Sequence, residues 1–189
     1  MTRTRPLAAA LAAVGLLALA AAFWVWWRDA GPPAAALDHH LGGPVVAFDS
    51  RYSASRIESG PFRRIYALPE ARLLLDLTRT ERVRQVTLGR DRAVNDTRQP
   101  DPADWSLDRA RALAHPFLPP DATRVRTEPF LFRDERAGDR EIYRSPALAR
   151  VFPPDVYAEH GALGPPGLCA VTYYQTTAGG VALILVGLL

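Results

Sequence analysis

Lysine is absent from this 189-residue chain, cysteine and methionine occur once each, and only one long apolar run is present. All 23 basic residues are therefore arginine. A GC-rich coding sequence accounts for that more simply than any arginine-specific chemistry. A lone Cys169 excludes an intramolecular disulfide, a four-cysteine zinc site and a c-type haem attachment. It stands in an apolar strand pattern, where cysteine acts as a small core residue. Arg3 and Arg5 carry two of the three net positive charges, which leaves +1 for everything after them. No basic run interleaves with aromatic residues, so the pattern argues against nucleic-acid binding.

Catalytic signatures are missing too. There is no GxSxG elbow, no glycine-rich phosphate loop and no HxH, HExxH or HxxxH spacing. Asp38-His39-His40 is the one stretch that hints at a metal, and His39 and His40 are its weak candidate ligands. A metal site needs three or four converging ligands. Adjacent histidines diverge instead, to opposite faces of a strand or by about 100° around a helix. His115 and His160 stand alone, so the pair reads as a polar lead-in loop. Cys169 has no electropositive neighbour in sequence, and Ser145 has the position of a helix N-cap. The carboxylate pairs Asp134/Glu135 and Asp139/Glu141 fall in RDERAGDRE, which reads as a solvated hairpin end. The expectation is no catalytic residue, no cofactor, no metal and no enzyme.

What is present begins with residues 1–6, a short basic region, and residues 7–27, LAAALAAVGLLALAAAFWVWW. A helix of that length reaches about 31 Å, close to the thickness of a hydrocarbon core. Trp24, Trp26 and Trp27 cluster at its far end, where indole rings favour a membrane interface. The reading is a signal anchor in the lipid bilayer through residues 7–27, N-terminus cytoplasmic, with an extracytoplasmic C-terminal domain. The alternative is secretion after signal cleavage at Ala18-Leu19-Ala20 or Ala20-Ala21-Ala22.

Residues 28–40 read as a linker, 41–89 as a first α+β module, 90–103 as a second linker and 104–189 as a second α+β module. In the first, Val45, Phe48 and Tyr52 make a helical stripe, followed by the strand-like runs FRRIYAL, ARLLLDL and RVRQVTL. In the second, WSLDRARALAHPFL is helical with Leu107, Ala110, Ala114 and Phe117 on one face. PDATRVR and DREIYRS read as strands, SPALARVF as a helix capped by Ser145, and CAVTYYQTTAGGVALILVG as a hairpin. That hairpin aligns without gaps on ARLLLDLTRTERVRQVTLG at an offset of 98 residues, with Gly89 on Gly187. The expected fold class is α+β: a single transmembrane helix, then a domain of two related helix-plus-antiparallel-sheet halves.

LGGPVVAFDSRY with ARLLLDL and RVRQVTL, and WSLDRARALAHPFLPPDA with CAVTYY and VALILVG, resemble the tandem modules of the beta-lactamase-inhibitor-protein and SmpA (BamE)-like group. The resemblance spans most of residues 41–189. It implies binding through protein–protein contact rather than catalysis. The lipidated cysteine of BamE-like members is missing, so outer-membrane assembly work is not implied. The expected function is an extracytoplasmic protein–protein interaction domain with an unidentified protein partner, an accessory subunit of a membrane complex. An exported small-ligand carrier or sensor is the first alternative, and a hydrolase with an unrecognised site the second. If Val171 and Tyr173 point inward, Thr172 and Tyr174 form the candidate partner face.

Overall fold

The computed structural model describes residues 37–90, 100–132, 135–159 and 164–189. Helix α1 (Val45–Tyr52) is followed by a four-stranded meander: β1 (Arg56–Gly60), β2 (Arg63–Ala67), β3 (Arg72–Leu77) and β4 (Val83–Gly89). Helix α2 (Leu107–Ala114) then leads into β5 (Thr123–Phe132) and β6 (Glu135–Arg144). Two short helices, α3 (Pro146–Val151) and α4 (Pro154–Glu159), precede β7 (Leu168–Gln175) and β8 (Val181–Leu188).

All eight strands form one antiparallel sheet in the order β1-β2-β3-β4-β8-β7-β6-β5. The expected architecture is corrected here. The sheet does not divide into two helix-plus-sheet halves; it runs unbroken through the β4–β8 pairing, with few and short helices. The expected span at 7–27, with Trp24, Trp26 and Trp27, lies outside the described residues, as do most of both linkers and His160. Among the described residues no helix is long and apolar enough to cross a membrane. The single-pass membrane assignment is corrected on that finding, and nothing in the fold favours its alternative, secretion.

Strand alternation explains the core. In β3, Leu73, Leu75 and Leu77 are buried while Leu74 and Asp76 are only partly so. In β4, Val86 and Leu88 face the same way. Val171, Tyr173, Ile184 and Val186 continue this face across the seam. It is covered by Val45 and Phe48 of α1, Ala110 and Ala114 of α2, and Leu148 of α3.

The registers of the two hairpins coincide at the 98-residue offset. Leu73 faces Leu88 as Val171 faces Val186, and Leu77 faces Val83 as Gln175 faces Val181, with a bulge at the same place in each. The turns match as well. Thr78 N–H donates to the Arg82 carbonyl, and Thr176 N–H donates to that of Gly180, both at 2.8 Å. In β4–β8, Thr87 lies opposite Leu185, the residue 98 positions on. A local twofold axis therefore passes through that pair.

Two backbone positions follow from this geometry. Glu81 (φ 55°) occupies the left-handed turn position that Gly179 (φ 85°) fills in the second hairpin. Gly138 (φ 151°) has no room for a side chain, since a Cβ there would lie 1.8 Å from the Tyr173 carbonyl oxygen. Gly138→Ala is expected to cost about 3 kcal/mol or more in urea unfolding, from overlap plus backbone strain. Gly179→Ala, with nothing within 4 Å of its Cβ, should cost only about 1 kcal/mol. Glu81→Gly should change stability by no more than about 1 kcal/mol, in the stabilising direction.

Candidate functional site

Each main helix is tied to the sheet by a cluster of carboxylate, tyrosine and arginine. On α1, Asp49 accepts a hydrogen bond from the Tyr66 hydroxyl at 2.9 Å. It also pairs with Arg56 at 3.3 Å and Arg64 at 3.5 Å. In the second half the charges exchange places. Glu141 on β6 is only 2% exposed, and its Oε2 accepts from the hydroxyls of Tyr143 (2.9 Å) and Tyr173 (3.1 Å). Its Oε1 meets Arg111 of α2 at 2.9 Å and Arg124 of β5 at 3.6 Å. Asp49 and Arg111 are both the fifth residue of their helices.

The Glu141 carboxylate thus accepts hydrogen bonds from two hydroxyls and from Arg111, with the Arg124 guanidinium in ionic reach. Its action is to hold α2 on the sheet. Burial, and then the Glu141 hydrogen bond and charge, push Tyr143 up to about 12. Burial followed by the Glu141 charge raises Tyr173 further, and burial followed by the Asp49 hydrogen bond raises Tyr66. Desolvation opposes the charged form of Arg111, but its pairing with Glu141 raises it overall.

Ser145 and Cys169 are also committed to structure, whereas the buried Nδ1 atoms of His39 and His40 have no hydrogen-bond partner among the described residues. His39 sits in a turn (φ 64°) with its ring edge-on to Phe48 at 6.0 Å. Burial, together with the neighbouring charges of His39 and Arg51, lowers His40. Among the described residues no group of three or more His, Cys, Asp or Glu is placed to hold a metal ion. Ser145 caps α3 by accepting from Leu148 N–H at 3.0 Å, and it donates to Asp121 at 2.6 Å. Cys169 is fully buried, and burial plus the charge of Asp121 pushes its thiol up to about 12.

Thr172 and Tyr174 lie on the sheet face opposite Val171 and Tyr173, away from α2. Thr172 is 3% exposed and accepts from Arg140 Nε at 3.3 Å. Tyr174 is half-buried, with the Phe130 ring packed edge-on at 5.0 Å across Gly138. The Arg140 guanidinium lies 4.6 Å from the Phe130 centroid. Alongside, the edge strand β5 exposes Val125, Leu131 and Phe132. Sequence periodicity reached only the start of β5, in PDATRVR, and a bulge at Val125 interrupts the alternation beyond it.

Two hollows flank the β2–β3 turn. One, of about 240 Å³, opens between α1, α2 and that turn and is walled by Tyr52, Leu68, Leu88, Leu113, Pro116 and Phe117. Arg51 and Glu70 stand at its rim. The other, of about 300 Å³, is bordered by Ile57, Ala67, Arg72 and Arg90.

Glu141→Ala leaves two hydroxyls and two guanidinium groups without their acceptor, and should cost about 3–5 kcal/mol in urea unfolding. Arg111→Ala should cost less, about 1–3 kcal/mol, because Arg124 remains and Arg111 is partly solvated. A thiol and a phenol kept neutral by the fold ionise first in the unfolded chain. Their contribution is intact below pH 9 and is lost as pH rises through about 12. Melting temperature should fall over that window, and less steeply in Cys169→Ala. No family model matches the chain, and neither does any curated protein or solved structure.

Proposed function

We propose that this chain is a non-catalytic binding protein that holds a protein partner against strand β5 and the adjoining helix-free face of the sheet. The observation that carries this reading is the concentration of apolar exposure. Among the described residues, three of the six exposed large apolar side chains, Val125, Leu131 and Phe132, lie on β5, which is an edge strand. Phe130, Tyr174 and Arg140 adjoin them as one aromatic and cationic patch. Tyrosine and arginine beside apolar anchors are the residue types that dominate interface energetics. The chemistry of Glu141, Ser145 and Cys169 supports the same reading, since each is engaged in holding the fold. The resemblance of the helix-and-hairpin segments to the beta-lactamase-inhibitor-protein and SmpA (BamE)-like group, which acts by protein contact, agrees with it.

A second reading, a small-ligand carrier, is favoured by the groove between α1, α2 and the β2–β3 turn, which is apolar and a few hundred Å³ in size.

The test of the first reading is Val125→Asp combined with Leu131→Asp, both at exposed positions. The wild-type chain, tagged and purified from its native host, should retain a stoichiometric protein through washing. The double variant should bind that protein about 30-fold more weakly, a hot-spot loss of about 2 kcal/mol, with an unchanged melting temperature. Equal retention by both chains rules β5 out as the contact.

A further inference from the structure

We infer that the groove between α1, α2 and the β2–β3 turn binds a small amphipathic carboxylate, with Arg51 and Tyr52 holding its head group and the apolar walls its tail. The inference rests on the carrier reading above and is independent of the β5 surface.

The cavity has a built frame. The β2–β3 turn closes through Leu68 N–H to the Ala71 carbonyl at 2.8 Å. Glu70 in that turn is gripped on both oxygens by Arg109 of α2, which ties the two walls together. Leu88 and Phe117, 1% and 5% exposed, belong to the core and make an apolar floor. α1 and α2 come from the two different halves of the chain. Behind the groove, Phe48 of α1 stacks on Phe117, just past α2, at 6.4 Å.

Size sets the tail. An apolar cavity of about 150 Å³ accepts benzene, so about 240 Å³ has room for roughly eight to ten carbon atoms. Charge sets the head. Glu70 is the one acidic residue lining the groove, and Arg109 neutralises it. Arg51 makes no hydrogen bond or ion pair among the described residues; it lies over the Tyr52 ring at 5.5 Å, which orients it at the rim. The Tyr52 hydroxyl likewise has no hydrogen bond among the described residues. Arg51, with its guanidinium fork, and Tyr52 both line this apolar hollow. A fork of this kind matches the two oxygens of a carboxylate, and a single cation balances a monoanion.

The experiment is calorimetric titration of the full chain with decanoate and, separately, with decanol. Decanoate should bind at least tenfold more tightly than decanol. Arg51→Gln should remove that difference without changing decanol binding or the melting temperature. Leu113→Trp, which fills the groove from α2, should abolish binding of both ligands. If decanol and decanoate bind equally and Arg51→Gln affects neither, the carboxylate assignment is overturned while the carrier reading stands. If neither binds, or if Leu113→Trp leaves binding unchanged, the groove is not a ligand site and both fall.

Discussion

The antiparallel pairing of β4 with β8 is the contact on which the rest of this structure depends. Residues Gln85–Gly89 run against Leu183–Gly187, and Val86 faces Val186 at the centre of the covered side. Backbone hydrogen bonds across this seam turn two four-stranded meanders into one eight-stranded sheet. They also merge two apolar faces into a continuous core, which neither half could bury alone with one short helix. The helices α1 and α2 lie on the same side of this sheet, and the groove between them exists because the seam brings their two halves together.

The two halves hold their helices by the same device with the charges exchanged. α1 brings the carboxylate, Asp49, to arginines and a tyrosine on its strands, whereas α2 brings the arginine, Arg111, to a carboxylate and tyrosines on its strands. Buried ion pairs add little net stability compared with apolar residues of the same shape, but they penalise any arrangement that leaves one partner unpaired. The same engagement ties Glu141 and Tyr173 to the attachment of α2.

Much of the local structure was legible. The stripe Val45, Phe48 and Tyr52 lies on a helix, Ser145 caps α3, and the strand-like runs around Leu75, Val86, Tyr173 and Ile184 are strands. These are features of short range, set by apolar spacing and by side chains that bond their own backbone. The errors share a cause as well. DREIYRS read as a strand and lies in β6, but its carboxylates read as part of a solvated end because charge normally signals water, yet Glu141 is only 2% exposed and faces its buried partners. Strand β1, with every residue exposed or partly so, offered no apolar alternation to find. The single-pass anchor over residues 7–27 was read from length and hydropathy alone, and no helix among the described residues spans a membrane.

By itself the sequence determined the helices α1 to α3, the strands β2, β3, β4, β7 and β8, and the 98-residue correspondence between the β3–β4 and β7–β8 hairpins, because each depends on neighbours a few residues apart. Only the tertiary structure decided that β4 pairs with β8, that Glu141 is buried among Tyr143, Tyr173, Arg111 and Arg124, and that Arg51 and Tyr52 border a groove closed by Leu113 and Phe117. Apart from Tyr143, which is two residues from Glu141, those outcomes join residues from 17 to about 100 positions apart. No local pattern encodes them, since the partner that decides whether a charge or a ring is buried lies on a different strand or helix.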